Sequence, residues 1–255
     1  VQATDAGHLR ILRDCRAGMF EYELQAMLEY EFLRHGGSGP AYGTIVGGGR
    51  NATILHYVEN NCALNAGELV LVDAGAEFDL YAADVTRTFP VEGGFSPPQR
   101  DLYELVLEAQ RRAIETVRPG AAFSDGHDAA VRCLCEGLVD LKLAKGPADQ
   151  LLESRDYRSF YMHRTSHWLG LDVHDAGSYR QNDASRVLEP GMVLTVEPGL
   201  YVGEDREDVP EAFRGIGIRI EDDVLVTSEG HEVLTACIPK SVTEIESLRG
   251  ASALR

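Results

Sequence analysis

Gly67-Glu-Leu-Val-Leu-Val-Asp73-Ala-Gly75 recurs without a gap as Gly191-Met-Val-Leu-Thr-Val-Glu197-Pro-Gly199. In each copy a glycine opens a strand-like run, an acid closes it, and a second glycine follows. A looser echo joins Arg16-Ala-Gly-Met-Phe20, ahead of one helical pattern, to Arg118-Pro-Gly-Ala-Ala-Phe123, ahead of another. Chance explains a match between two strands taken alone. The matching acids and the helix echo together favour two helix-plus-sheet halves related by a pseudo-twofold, with Asp73 and Glu197 meeting near its axis.

The remaining periodicities agree with an α/β (α+β) chain. Apolar residues at Leu102, Leu105, Val106, Ala109 and Ala113 predict an amphipathic helix over Asp101–Val117, stopped by Arg118-Pro119-Gly120. Similar patterns predict helices from about Asp5 to Arg16, from Glu21 to Arg34 and from Ser124 to Leu143, the last capped by Ser124 or Asp125. Alternation of Ile216, Ile218 and Ile220 with Gly217, Arg219 and Glu221 predicts a strand that delivers polar groups into a site.

Composition bounds the function. Lys plus Arg number 24 and Asp plus Glu 41, a net charge of −17, which repels a phosphate backbone and excludes nucleic acid as a partner. No run of about 18 apolar residues marks a membrane span, and Val1–Arg10 carries no secretory signal. Five scattered cysteines do not form a disulfide framework, so a reducing, cytoplasmic setting is expected, with Cys133 and Cys135 as core thiols.

Acids define the candidate site. Asp73 and Asp84 are separated by a polar stretch that suits a hairpin or short loop setting the two carboxylates side by side. With Glu197 and Glu221 they make four carboxylates converging from sheet positions in apolar surroundings. Each alone reads as a solvated strand-end residue, but the set costs many kcal/mol unless protonated or bound to cations, because one buried charge already costs several. Oxygen-rich donors with one imidazole suit hard to borderline divalent metals. Of eight histidines, His8, His35, His127 and His231 read as packing or surface residues without partners. His56 lies in Ile54-Leu-His-Tyr57, which reads as an apolar strand, where a lone His is more often a satisfied core residue. His163, His167 and His174 cluster. Gly170 favours an irregular segment there over a helix, and no Glu completes a HExxH zinc motif.

The runs Ile54-Leu-His-Tyr57, Val72-Asp-Ala-Gly75, Tyr81-Ala-Ala-Asp-Val-Thr-Arg-Thr-Phe-Pro90, Ser166-His-Trp-Leu-Gly-Leu-Asp-Val-His-Asp175, Glu189-Pro-Gly-Met-Val-Leu-Thr-Val-Glu-Pro-Gly-Leu-Tyr201 and Arg214-Gly-Ile-Gly-Ile-Arg-Ile-Glu-Asp-Asp223 resemble the catalytic domain of the proline-specific aminopeptidases, aminopeptidase P in particular. The resemblance spans nearly the whole chain. It implies a pita-bread fold over residues 1–255, duplicated into helix-plus-antiparallel-sheet halves. It also implies two divalent ions, typically Mn²⁺ with Zn²⁺, Co²⁺ or Mg²⁺ as alternatives, held by Asp73, Asp84, His167, Glu197 and Glu221. Glu197 then doubles as proton acceptor, His56 and His174 line the substrate site and donate hydrogen bonds, His163 helps form the pocket, and Arg219 with Tyr201 braces the ligands. The implied reaction is hydrolysis of the bond before a proline in second position.

Two departures qualify the resemblance. Arg164 stands where relatives usually have Gly, and the N-terminal domain that normally contributes to oligomerisation is not in the sequence, which with Val1 in place of Met reads as a processed or cleaved chain. That weakens the expectation of a homo-oligomer. Rival readings are Xaa-Pro dipeptidase, methionine aminopeptidase, a metal-free creatinase-like hydrolase and a non-catalytic peptide-binding module.

Overall fold

Helix α1 (Gln2–Asp14) packs on α2 (Glu21–Arg34), and the chain then forms β1 (Gly39–Pro40), β2 (Ile45–Gly48), β3 (Leu69–Asp73), β4 (Ala76–Phe78), β5 (Tyr81–Ala82) and β6 (Thr86–Pro90). The molecule is a computed structural model, which describes residues 1–252. β3 is the central strand of an antiparallel sheet ordered β2-β3-β6, and all five of its residues are buried. A second helix pair follows, α3 (Pro97–Thr116) against α4 (Asp125–Asp140), then a short α5 (Ala148–Ser154). The small hairpin β7 (Arg180–Gln181) and β8 (Ala184–Ser185) leads to β9 (Val193–Val196), β10 (Gly199–Val202), β11 (Ile216–Arg219), β12 (Asp222–Val226) and β13 (His231–Val233), and α6 (Val242–Ser252) closes the order. β12 lies between β13 and β9, while β10 and β11 pair antiparallel.

The duplication is repeated bond for bond. Gly18 N–H donates to Leu64 O and Leu64 N–H to Met19 O; in the other half Gly120 N–H donates to Leu188 O and Leu188 N–H to Ala121 O. Phe20 bridges Ala63 as Ala122 bridges Val187. The glycines that permit these turns share one left-handed conformation, φ +88° at Gly18 and +86° at Gly120. Strand registers match as well: Val72 faces Arg87 across β3–β6, and its counterpart Val196 faces Asp222 across β9–β12.

The four predicted helices are present with small shifts of their ends. α3 begins earlier, at Pro97, where Ser96 N–H donates to the Gln99 side chain (2.9 Å) and two prolines occupy the first turn. Near the start of α4, Asp125 accepts from Ala122 N–H rather than from a helical amide. The helix seams are apolar: Leu102, Val106, Ala109 and Ala113 of α3 are fully buried, as are Leu134 and Leu138 of α4, with Cys133 and Cys135 beneath them. α5 and α6 add two helices that the apolar periodicity did not mark. Among the described residues, no helix is long and apolar enough to cross a membrane.

Candidate metal centre

Asp73 ends β3, and Asp84 stands two residues before β6 begins, after the β4–β5 hairpin has returned the chain. The return is close. A Cβ on Gly75 would sit 1.7 Å from Ala83 O, so only glycine lets the two acidic segments touch. The repeat partner behaves alike, since a Cβ on Gly199 would sit 2.8 Å from Ile218 O. Glu197 follows β9, and Glu221 connects β11 to β12. All four carboxylates border one cavity of about 760 Å³, together with His56, His163, His167, His174 and Arg219.

Distances within the cluster are short. The Tyr42 hydroxyl lies 2.5 Å from Asp73 Oδ1 and 2.5 Å from Asp84 Oδ1. His167 Nε2 is 3.2 Å from Asp84 Oδ2 and 3.8 Å from Glu197 Oε1. Asp84, His167 and Glu221 each offer a ligand atom within 4.8 Å of one another. Arg219 ties the halves together: its Nη2 donates to Asp73 Oδ2 (2.6 Å), its Nη1 to the Tyr201 hydroxyl (2.9 Å) and its Nε to Thr86 Oγ1 (3.0 Å), which in turn donates to Glu221 Oε2 (2.7 Å).

Burial sets the electrostatics. It is the first cause that raises Glu197 to about 8, with Asp84 and Asp73 adding to it against His167 and Arg219. It also carries Glu221 well above the usual carboxylate range, with Asp84, Glu197 and Asp73 adding repulsion. Asp84 is raised by burial and then by Asp73. Burial opposes protonation of His167, but the hydrogen bond and charge of Asp84, with the charge of Glu197, overcome it and lift this imidazole to about 9. Thus the bare cluster holds on to protons.

Three features of the chain fit divalent cations in their place. Among the described residues, Arg219 is the one guanidinium bonded to these four carboxylates, directly at Asp73 and through Thr86 at Glu221. The Tyr42 hydroxyl has one proton for two carboxylate oxygens. Finally, His167 Nδ1 is 3.0 Å from Trp168 O, which leaves Nε2 facing Asp84 and Glu197, where a divalent cation would take the place of the proton that the bare imidazolium carries. Oxygen donors with one imidazole are the chemistry of hard or borderline ions.

The other predicted residues stand as follows. His163 Nε2 is 2.8 Å from the Tyr201 hydroxyl, and its Nδ1 is 2.7 Å from Arg164 O and 3.5 Å from Glu197 Oε2; burial pushes it down to about 3. His174 is exposed, stacks edge-on against His167 at 4.4 Å, and is lowered by burial and then by the charge of His167. His56 corrects its expected setting. Residues 49–53 form a 3-10 helix, and His56 sits in the turn after it, exposed at the cavity rim and not in an apolar strand. His163 to His167 run through irregular backbone, as Gly170 suggested.

The discarded histidines are also corrected, because each has a partner. His8 is fully buried and bonds Ala74 O at 2.8 Å, His35 bonds Glu31 O, His127 bonds Thr165 Oγ1 at 2.9 Å beside the cavity, and His231 bonds Val117 O. Sequence reasoning missed Tyr42, a lone tyrosine in a loop with no motif around it. It also missed Thr86, which shares a strand face with Asp84 two residues earlier and was detectable on that ground.

Comparison with known proteins gives consistent findings. The description Metallopeptidase family M24 matches residues 1–228. A Xaa-Pro aminopeptidase of Haemophilus influenzae is 54% identical over 247 residues, 97% of this chain and 57% of the relative. One of Escherichia coli is 52% identical, over 98% of this chain and 56% of the relative. Aminopeptidase PepP of Pseudomonas aeruginosa superposes with a TM-score of 0.99 at 52% identity, over 100% of this chain and 57% of that one. Aminopeptidase P of E. coli with the inhibitor Pro-Leu superposes at 0.97 and 51% identity, again over 100% of this chain and 57% of that one. The chain therefore spans a little over half the length of these relatives.

Proposed function

The chain belongs to metallopeptidase family M24 and has the pita-bread fold, and from that premise we propose that it hydrolyses the peptide bond between a first residue and a proline in second position. The observation that carries the reading is the His167 imidazole, held by Trp168 O with its other nitrogen 3.2 Å from Asp84 and 3.8 Å from Glu197, in a cavity that Asp73 and Glu221 also border. In this reading Asp73, Asp84, His167, Glu197 and Glu221 hold two divalent ions, Mn²⁺ foremost. When bound, they supply a water of lowered pKa and a polarised scissile carbonyl.

The chain's own groups do the rest. Glu197 takes up the proton released in the attack. His174, kept neutral near pH 7 by its surroundings, donates a ring N–H to the substrate carbonyl oxygen, and His56, which lines the same cavity, does so as well. Arg219 holds Asp73 directly and Glu221 through Thr86, so both halves keep register. Tyr201 accepts from Arg219 and donates to His163 Nε2, which orients the His163 ring beside Glu197. Phe123, Tyr179 and Leu55 give the cavity an apolar lining suited to a prolyl ring and its neighbours. All five proposed ligands lie within residues 1–255, which we treat as one catalytic unit acting on peptides in the cytoplasm, without nucleic acid or membrane.

Protein stripped with a chelator and resupplied with Mn²⁺ should release the first residue from Ala-Pro-Ala but not from Ala-Ala-Ala. Cleavage of Xaa-Pro dipeptides in preference to tripeptides would move the assignment to a dipeptidase. Protein that neither retains nor regains a divalent ion after dialysis would favour the non-catalytic module.

A further inference from the structure

A second cavity of about 530 Å³ adjoins the first, and His127 and Arg164 line both. Four arginines face it: Arg132 from α4, Arg155 at the end of α5, Arg158 from the 3-10 turn Asp156–Ser159, and Arg164 beside His163. Among the described residues, Arg132 pairs with Asp149 (3.1 Å), whereas the side chains of Arg155, Arg158 and Arg164 make no hydrogen bond or ion pair. Asp128 is the one acid in the lining. In a chain of net charge −17 that otherwise pairs many surface arginines with acids, three unpaired guanidinium groups around one hollow are an exception. Arg155 also keeps a left-handed backbone (φ 62°), which glycine or asparagine would adopt at lower cost.

The connected cavities are polarised. Four carboxylates line the first cavity and, in the peptidase reading, hold the ions at which the amino end of a peptide is cleaved, while the arginines line the second. Guanidinium is the group that binds carboxylate in a planar, two-toothed fashion. Resting on the peptidase reading above, we infer that the arginine-lined cavity holds a carboxylate of the peptide substrate beyond the prolyl residue. That carboxylate belongs either to the C-terminus of a short peptide or to an acidic side chain. Short peptides with free ends are thereby oriented along the groove, amino end toward the acids.

The test compares Ala-Pro-Ala, its C-terminal amide, Ala-Pro-Ala-Glu amide and Ala-Pro-Ala-Gln amide on the Mn²⁺-loaded protein and on an Arg158→Gln/Arg164→Gln double variant. Both positions are exposed, so an unchanged melting temperature should verify the fold. Amidation of Ala-Pro-Ala should raise KM about 5- to 10-fold with kcat within about 2-fold, and the double variant should lose that penalty. A lower KM for the Glu amide than for the Gln amide assigns the acidic side chain as a source. A penalty that survives in the double variant, or none in the parent for either pair, overturns the inference. Should no peptide be cleaved, the peptidase reading fails on its own. Calorimetry with Pro-Leu and Pro-Leu amide then still decides, because equal affinities overturn the pocket and tighter binding of the acid, abolished in the double variant, supports it.

Discussion

β3 and β9 are copies of one another in sequence and in their turns, yet they are flanked differently. β3 has a regular strand on each side, β2 and β6. β9 has β12 on one side; on the other an irregular run takes the place of a strand, with Thr195 N–H donating to His167 O, Glu197 N–H to Thr165 O and Leu169 N–H to Val193 O. The half that keeps its sheet regular contributes Asp73 and Asp84. The half that gives up a flanking strand gains His163, His167 and His174 while still placing Glu197 and Glu221. The coiled flank thereby brings three imidazoles to the cavity, which a regular strand, presenting only every second residue to one face, would do less readily.

The sharpest way to break this comparison is to remove matching acids. Glu197→Gln should lower turnover at least about 10³-fold, because a ligand and a proton acceptor go together, and excess Mn²⁺ should not restore it. Its repeat partner, in Asp73→Asn, should lose activity through weakened metal binding and regain part of it in excess Mn²⁺. Equal rescue of both variants in a metal titration would remove the functional difference between the halves.

Next in size is the seam. Arg87 and Asp222 are both fully buried and pair at 2.7 Å, with Lys240 and Thr235 also on the Asp222 carboxylate and Arg87 reaching Glu221 O and Ile238 O. Arg87→Met should cost about 3–5 kcal/mol in chemical denaturation, and adding Asp222→Leu should return a good part of it. A loss below 1 kcal/mol would mean that Lys240 and Thr235 suffice to hold the Asp222 carboxylate without Arg87.

His174→Ala probes what the coiled flank supplies. Metal content should be unchanged while kcat falls roughly 10²- to 10³-fold, as for loss of one donor to a developing oxyanion. Unaltered kcat would return this imidazole to packing against His167. The smallest effect concerns symmetry itself. Gly18→Ala and Gly120→Ala each place a Cβ in open space at a left-handed position, so each should cost about 1–2 kcal/mol from the backbone alone and agree within about 0.5 kcal/mol. Thermal denaturation that separated them widely would argue that the two turns are copies in shape only.

Much of the fold is legible in the sequence. The gapless repeat of Gly67–Gly75 in Gly191–Gly199 predicts the duplication, and Asp73 and Glu197 do border one cavity, because strand, turn and acid occur at fixed offsets. Helical periodicity found α1 to α4 for the same reason. It passed over α5, whose seven residues hold too little pattern, and α6. His56 was assigned to a strand because Ile54 and Leu55 are apolar, although the tertiary fold leaves Ile54 exposed. Tyr42 left no trace in the sequence, since its role depends on two acids that lie far along the chain. The arginine-lined hollow leaves a trace in the sequence only at Arg164, as no periodicity shows that Arg155 and Arg158 fold back onto Arg132 of α4.

Arg87 and Asp222 occupy corresponding places in the two sheets, each opposite the matching valine, and they touch. An assembly of two identical half-length chains would set arginine against arginine there, or aspartate against aspartate. That bond is open to two copies only once their sequences differ, so the charged lock between the sheets is a feature that exact symmetry would forbid.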